Sequence, residues 1–454
     1  MTVANWDDEY VREDATPVAR KLRLATPAVL LVALFIMPPE TSLSLGSLRL
    51  SPYRVVLLFT VLPGLIHLLS GKAGKLNGVD LAVLGHSLWC IIALGAYGGP
   101  GMAIETGGIY FVEAFGAYAM GRRYVRNPDD FYALAVLLGI IVCCLLAVAL
   151  PESVSHQHFA REAFRAVLGG PGLPIIEPRW GLSRAFGTFE HPILFGVYCS
   201  MGFALVYFVA KPRLPLVKGW ALIGAIILGS FVSLSAGAWL MLGMQIALAG
   251  WDRVTRGLPG RWAILGMMFV AVLVVVSMLS NRSPIKVFIS YASFSAQSSY
   301  NRILIWEYGT AEVARHPIFG LGLGDWIRAP WMSASMDNFW LVVAVRYGLP
   351  ALILLLLAIF IIIAKSTSQK NVDSVWAACR IAWIVTIAGI ALASCTVHLW
   401  NNTFAFFMFL LGAGAWLTEP AASKRDDSGN EYHDDYQDEE DYGQEDAHAG
   451  YRQY

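Results

Sequence analysis

The stretch "FYALAVLLGIIVCCLLAVAL", residues 131–150, carries no charged side chain, and its reading decides the fold class. At about 1.5 Å per residue it makes a helix ~30 Å long, the thickness of a bilayer's hydrocarbon core. It has companions along the whole chain. Apolar blocks bounded by charge or by Gly and Pro fall near 25–38, 54–70, 80–98, 105–121, 192–210, 218–233, 236–251, 262–280, 339–364, 381–397 and 403–417. With 131–150 they give about twelve spans. The pair 218–233 and 236–251 meets at "SLSAG" (233–237), which reads as a break as readily as a full turn. Composition agrees. The chain is 56% hydrophobic and 15% charged, with a mean hydropathy of +0.55, whereas soluble domains carry about a quarter charged residues. The expected fold is an all-α polytopic membrane protein.

Lysine and arginine give the orientation. Arg20, Lys21 and Arg23 precede the first span, and alternate short loops carry Lys72/Lys75, Arg122/Arg123/Arg126, Lys211/Arg213/Lys218, Arg253/Arg256/Arg261 and Lys365/Lys370. Both termini are therefore expected in the cytoplasm, with two long loops, about 151–191 and 281–338, outside. "FIMPPE" stands where a cleavage site would follow the first apolar block, so no cleaved signal peptide is read. The organisation is a cytoplasmic segment 1–24, a transmembrane domain 25–418 and an acidic tail 419–454. That tail is aliphatic-poor and reads as disordered; its tyrosines (Tyr432, Tyr436, Tyr442, Tyr451, Tyr454) suit either phosphorylation or simple solvation. Formal net charge is zero, which points to no particular partner, and no nucleic-acid partner is expected. The six cysteines fall within or beside spans without ligand spacing, so they read as packed thiols rather than a disulfide framework or zinc site.

Polar residues concentrate in the two outside loops. The first ends "WGLSRAFGTFEHPILFG" (180–196), where Arg184, Gly187, Glu190 and His191 precede a helix that Pro192 can open. Arg184 is either an interfacial snorkelling cation or an anion-binding group facing a wet cavity. In the second loop, 300–315 can form an amphipathic helix with Arg302 and Trp306 one turn apart on one face; it could equally lie on the bilayer surface. "GLGLG" (320–324) follows, including Gly320 and Gly322. It has no preceding βαβ strand and no following "GK[ST]", so it is read as a tight turn rather than a nucleotide cradle. Asp337 and Asn338 come immediately before an apolar helix containing Arg346, whose charge within a span marks a functional candidate unless it snorkels outward. Glu113 and Gln245 are mid-span polar groups read as bonding neighbouring helices, and His67, His86 and His398 read as structural. Guanidinium forks match phosphate oxygens, and a carboxylate beside them can act as a general base. The combination fits transfer from a phosphate-activated donor, which outside the cytoplasm would be lipid-linked.

Three segments resemble the O-antigen ligase and polymerase superfamily of bacterial membrane glycosyltransferases. "SRAFGTFEHP" (183–192) is similar to its R-x-x-G-x-F-x-x-P element, "NRILIWEYGTAEVARHPIFGLGLGDW" (301–326) to its R-x-x-x-W…hPi-x-G-x-G-x-g segment, and "DNFWLVVAVRYGLP" (337–350) to its H-N-x-x-L…G-l-x-g stretch. The likeness covers about 180–360. It implies a GT-C-like helical fold in the bacterial inner membrane and metal-independent transfer, without cofactor, from an undecaprenyl-diphosphate-linked oligosaccharide to a glycan or lipid A core. Arg184 and Arg302 inherit the diphosphate clamp, with Asp337 as base and with Trp306, His191, Asn338, Arg346, Gly320 and Gly322 toward the substrate. A chain-length regulator is a further partner compatible with a polymerase. Two departures stand out: Asp337 occupies the family's histidine position, and "SLSAG" replaces the frequent S-x-S-R. Asp337 and the "EHP" variant (190–192) favour a polymerase over a ligase. The rival reading is a non-catalytic transporter or flippase for the same lipid-linked glycan, although paired halves with interrupted midplane helices are not evident. A membrane scaffold recruiting partners through the acidic tail is a third reading.

Overall fold

The apolar blocks are helical in the computed structural model, which describes residues 24–420 except 47, 171 and 371. Residues 1–23 and the tail beyond 420, with its tyrosines, lie outside the described residues. Among the described residues, seven helices are long and apolar enough to cross a membrane: Pro52–Leu69, Gly78–Tyr124, Pro128–Ser155, Pro192–Arg213, Arg261–Leu279, Phe339–Ser368 and Ser374–Ser394. Shorter apolar helices complete the bundle, among them Thr26–Leu34, Leu216–Val232 and Asn401–Gly414. Among the described residues the only sheet is an antiparallel pair, Leu43–Leu45 with Leu48–Leu50. The fold is all-α.

The run Gly78–Tyr124 contains two of the expected blocks because it doubles back. Gly99 takes φ 76 just before Pro100, which has no N–H to continue the ladder. His86 Nε2 consequently meets the Tyr110 hydroxyl at 2.9 Å across the two legs. Small residues then let backbones touch: a methyl group on Gly121 would lie 2.1 Å from the Phe409 carbonyl oxygen. Asn401–Gly414 is accordingly wrapped almost completely by its neighbours. "SLSAG" joins two separate helices, Leu216–Val232 and Ala236–Val254.

The mid-span polar residues Gln245 and Glu113 are paired, as a low-dielectric interior favours. Gln245 accepts from the Ala204 N–H at 3.2 Å and donates to Ser200 O at 2.8 Å. Glu113 accepts from the Tyr53 hydroxyl at 2.5 Å and Arg54 Nε at 2.8 Å. These are the neighbouring-helix bonds expected of Gln245 and Glu113.

The two ends of the bundle differ in chemistry. One gathers the short basic connections: Arg122 Nη2 pairs with Glu419 at 2.9 Å, Arg126 donates to Lys72 O at 3.1 Å, and Arg213 bonds Asp129 at 3.3 Å. The other gathers the long segments, where Trp400 Nε1 donates to Glu190 at 3.0 Å and Phe339 N to Val397 O at 3.0 Å.

At this second end the "GLGLG" turn has a structural task. Helix Phe339–Ser368 breaks at Gly348 (φ 82), ahead of Pro350. The break frees carbonyls, and the turn supplies their donors: Leu321 N meets Val345 O at 2.6 Å and Gly322 N meets Arg346 O at 2.9 Å, while Leu349 N donates to Pro317 O at 2.8 Å. Gly320 (φ 67) must be bare because a Cβ there would lie 2.6 Å from both carbonyl oxygens. The turn closes a broken helix.

Candidate anion-binding site

Residues 179–191 follow a path fixed by bonds to distant elements. Arg179 and Leu182 exchange both backbone hydrogen bonds at 2.9 Å, closing a tight turn through Trp180 (φ 52) and Gly181 (φ 77). Ser183 is tied to Ser153 twice, by its N–H to Ser153 O and by its own O accepting the Ser153 hydroxyl, each at 2.9 Å. Ala185 N donates to Val232 O at 3.0 Å. The fully buried Glu152 carboxylate accepts from Phe186 N at 3.2 Å and Gly187 N at 2.9 Å, and also contacts the His158 ring. Beyond it, Arg161 donates to Phe189 O at 2.8 Å while its Nε reaches both Glu40 oxygens, at 2.7 and 2.8 Å. Arg184 is therefore presented by a backbone fastened on both sides.

What it is presented to is other positive charge. Arg184 is 9% exposed, and its buried Nε has no hydrogen-bond partner. No hydrogen bond or ion pair among the described residues reaches its guanidinium. Arg302, from helix Ala296–Arg315, is also 9% exposed with an unpartnered Nε; its Nη1 touches Ala292 O at 3.4 Å and the Ser293 hydroxyl. Arg179 completes the group, donating to Leu234 O at 2.6 Å.

The charges feel one another. Burial, then Arg179 and Arg302, pulls the Arg184 pKa down to about 10. Burial lowers that of Arg302 too, with Asp337 opposing the shift and Arg179 adding to it. His191 is pushed down to about 4 by burial, then by Arg184 and Arg179. Its Nδ1 accepts from Ile193 N at 3.2 Å, capping the helix Pro192–Met201. A neutral imidazole with its proton on Nε2 satisfies both observations.

The structure thus brings together Arg184, Arg302 and His191, with Asp337 within reach of the Arg302 charge. The Asp337 carboxylate is half-buried and accepts from the Ser335 hydroxyl at 2.9 Å. The other expected residues are placed differently. Asn338 caps the next helix, its Oδ1 accepting from Leu341 N at 3.0 Å. Arg346 is exposed, and its charge acts on His398, whose pKa burial and Arg346 together lower to about 4. Trp306 is half-buried one turn along from Arg302. The N–H groups of Gly320 and Gly322 are occupied by the carbonyls of His316 and Arg346.

Sequence reasoning missed Arg179, because "EPRWGL" carries no signal beyond a turn glycine. It also missed the supports supplied by Glu152, Arg161 and Glu40, whose bonds span up to 121 positions. Glu190 is anchored rather than cationic-paired: Oε2 accepts from Trp400 Nε1 at 3.0 Å and Asn401 Nδ2 at 2.8 Å. The described residues gather no His, Cys, Asp and Glu group able to hold a metal ion.

Buried cations that repel one another and keep donors free are costly unless an anion completes them. Three guanidinium groups, two of them beside the neutral His191, can neutralise a doubly or triply charged phosphate group. No protein-family model matches the chain, and no curated protein matches its sequence.

Proposed function

We propose that this protein is a glycosyltransferase of the bacterial inner membrane, related to the O-antigen ligase and polysaccharide polymerase superfamily. In this reading about twelve spans form a GT-C-like bundle. The basic end faces the cytoplasm with both termini, and the arginine site faces the opposite side. The donor is a glycan on undecaprenyl diphosphate. The acceptor is a sugar hydroxyl on a growing exopolysaccharide or O-antigen chain, or on a lipid A core.

The observation that carries this reading is the cluster of Arg179, Arg184 and Arg302: two are buried, and all three lack a carboxylate ion pair among the described residues. A diphosphate bound there gains charge as the glycosidic C–O bond breaks, so the same guanidinium groups stabilise the departing anion more than the ground state. The acceptor oxygen supplies the electron pair of its new bond to the anomeric carbon, while the pair of the breaking C–O bond leaves with the lipid diphosphate. Asp337 takes the hydroxyl proton. Its carboxylate favours the Arg302 charge, which supports that role.

Purified protein incubated with a synthetic undecaprenyl-diphosphate oligosaccharide tests the reading. A ladder of products is the polymerase outcome, which is favoured; single transfer to an added lipid A core is the ligase outcome. Absence of product with either acceptor, together with lipid movement across vesicles, would establish a transporter and refute the enzyme. Asp337→Asn is expected to lower kcat by roughly 10²–10⁴-fold without changing donor affinity.

A further inference from the structure

The cationic site is continuous with an aromatic surface. Trp180 follows Arg179 directly and is 63% exposed. It sits at φ 52, in the left-handed region, as the first of two positive-φ residues in its turn. Turns of this kind favour Asn, Asp or Gly there, and a bulky residue in that region is strained. The Trp180 ring lies 5.5 Å from Trp239 and 5.2 Å from Phe294, and Phe231 stacks on Trp239 at 5.0 Å. Phe294 and Phe231 are 39% and 41% exposed.

The patch has two ends of different character. At one, the Arg179 guanidinium stands 5.4 Å over the Phe294 ring, so the aromatic surface begins where the cationic one stops. At the other, Phe231 leads to the exposed Leu228 and Ile227 on the apolar helix Leu216–Val232. One surface therefore passes from a hydrocarbon-compatible helix flank, across four rings, to three arginines. A free anion has no use for the rings, and a free sugar has no use for the apolar flank. An interfacial aromatic belt accounts for exposed tryptophan but not for a strained one coupled to the arginine site.

We propose that Trp180, Trp239, Phe294 and Phe231 seat the head-proximal part of the hydrocarbon chain of a lipid diphosphate whose head group is held by Arg179, Arg184 and Arg302. This assignment rests on the lipid-diphosphate reading of the preceding subsection and adds where the chain lies.

Binding of two probes to the full-length protein in lipid nanodiscs tests it: a long-chain polyprenyl diphosphate and inorganic diphosphate. Wild type is expected to bind the polyprenyl compound at least about tenfold more tightly, the equivalent of one well-buried apolar contact. Trp180→Asn suits the turn and so preserves folding. It should remove about that tenfold advantage while leaving inorganic diphosphate affinity unchanged, and Trp180→Phe should retain most of it. Arg184→Met should weaken both probes. Unchanged polyprenyl affinity in Trp180→Asn, or an equal loss for both probes, overturns the seat and leaves the arginine site standing. Equal wild-type affinity for the two probes does the same. Wild type binding neither probe overturns the diphosphate reading and the seat together.

Discussion

At Arg184, the proposed anion binding and stability pull in opposite directions. A buried guanidinium facing two others destabilises the empty protein, and the lowering of its pKa to about 10 expresses that cost. Replacing it with a chain of similar volume, Arg184→Met, should raise apo stability by about 1–3 kcal/mol and abolish the rise in melting temperature that the proposed site predicts for wild type with inorganic diphosphate. A fall in apo melting temperature would count against the cluster being frustrated. His191 makes a pH-dependent prediction. Its folded pKa of about 4 lies below the ordinary value of 6.5. The unfolded chain therefore binds more protons between those values, so stability falls as pH drops from about 6.5 towards 4. His191→Asn keeps a helix cap and removes the titration; melting curves against pH should be flatter for this variant over that interval. The carboxylate partners tell the same story in reverse. Arg161 and Glu40 are both buried in a bidentate pair, so Arg161→Ala should cost about 3–5 kcal/mol, measured as loss of thermal stability. Arg184 and Arg302 were legible as residues because they stand in the two long loops, apart from the short basic loops that give the orientation. Their company was not, since Arg179 enters the cluster through a turn whose sequence looks ordinary.

Among the elements, the broken helix Phe339–Ser368 and the glycine turn form one unit. Gly348→Ala should be strongly destabilising, by more than about 3 kcal/mol: φ is 82, and the new methyl would lie 1.9 Å from the Ile318 carbonyl oxygen. Thermal stability in detergent measures it, and an alanine variant as stable as wild type would show that the break closes differently. The periodic alternation of glycine in "GLGLG" announced a tight turn, and the structure has one. It could not announce the partner, because the carbonyls needing donors arise from Gly348 and Pro350 some 25 positions downstream in a helix that reads as continuous. The same limit applies to Gly78–Tyr124, where Gly99–Pro100 marks a bend but only contacts such as His86 with Tyr110 show that the legs fold against each other. The amphipathic helix carrying Arg302 was expected over 300–315 and extends over Ala296–Arg315. Its Ser295 cap, which accepts from Ser298 N at 3.2 Å, sets the earlier start.

For the whole molecule, charge separation between the two ends makes the topology testable. Single cysteines introduced at Ile175 and Leu258, both exposed, in a variant lacking the native six should behave differently in intact cells. A membrane-impermeant maleimide is expected to label position 175 directly and position 258 only after permeabilisation. The reverse pattern would invert the protein and place its arginines in the cytoplasm. Helix Arg261–Leu279 illustrates what apolarity alone can say: its most hydrophobic window is 0% buried within the chain, yet its composition resembles that of helices packed inside the bundle. The all-α class and the presence of several membrane-length apolar helices followed from the sequence by itself, because a bilayer's thickness imposes a length on each block and forbids unpaired backbone whatever the neighbours are. The convergence of Arg179, Arg184 and Arg302, the bonds from Glu152 that fix the backbone beside Arg184, and the aromatic surface beside them were decided only by the tertiary structure. Like charges meet there because segments far apart in the chain are fastened to one another by hydrogen bonds, and no local pattern records those partners.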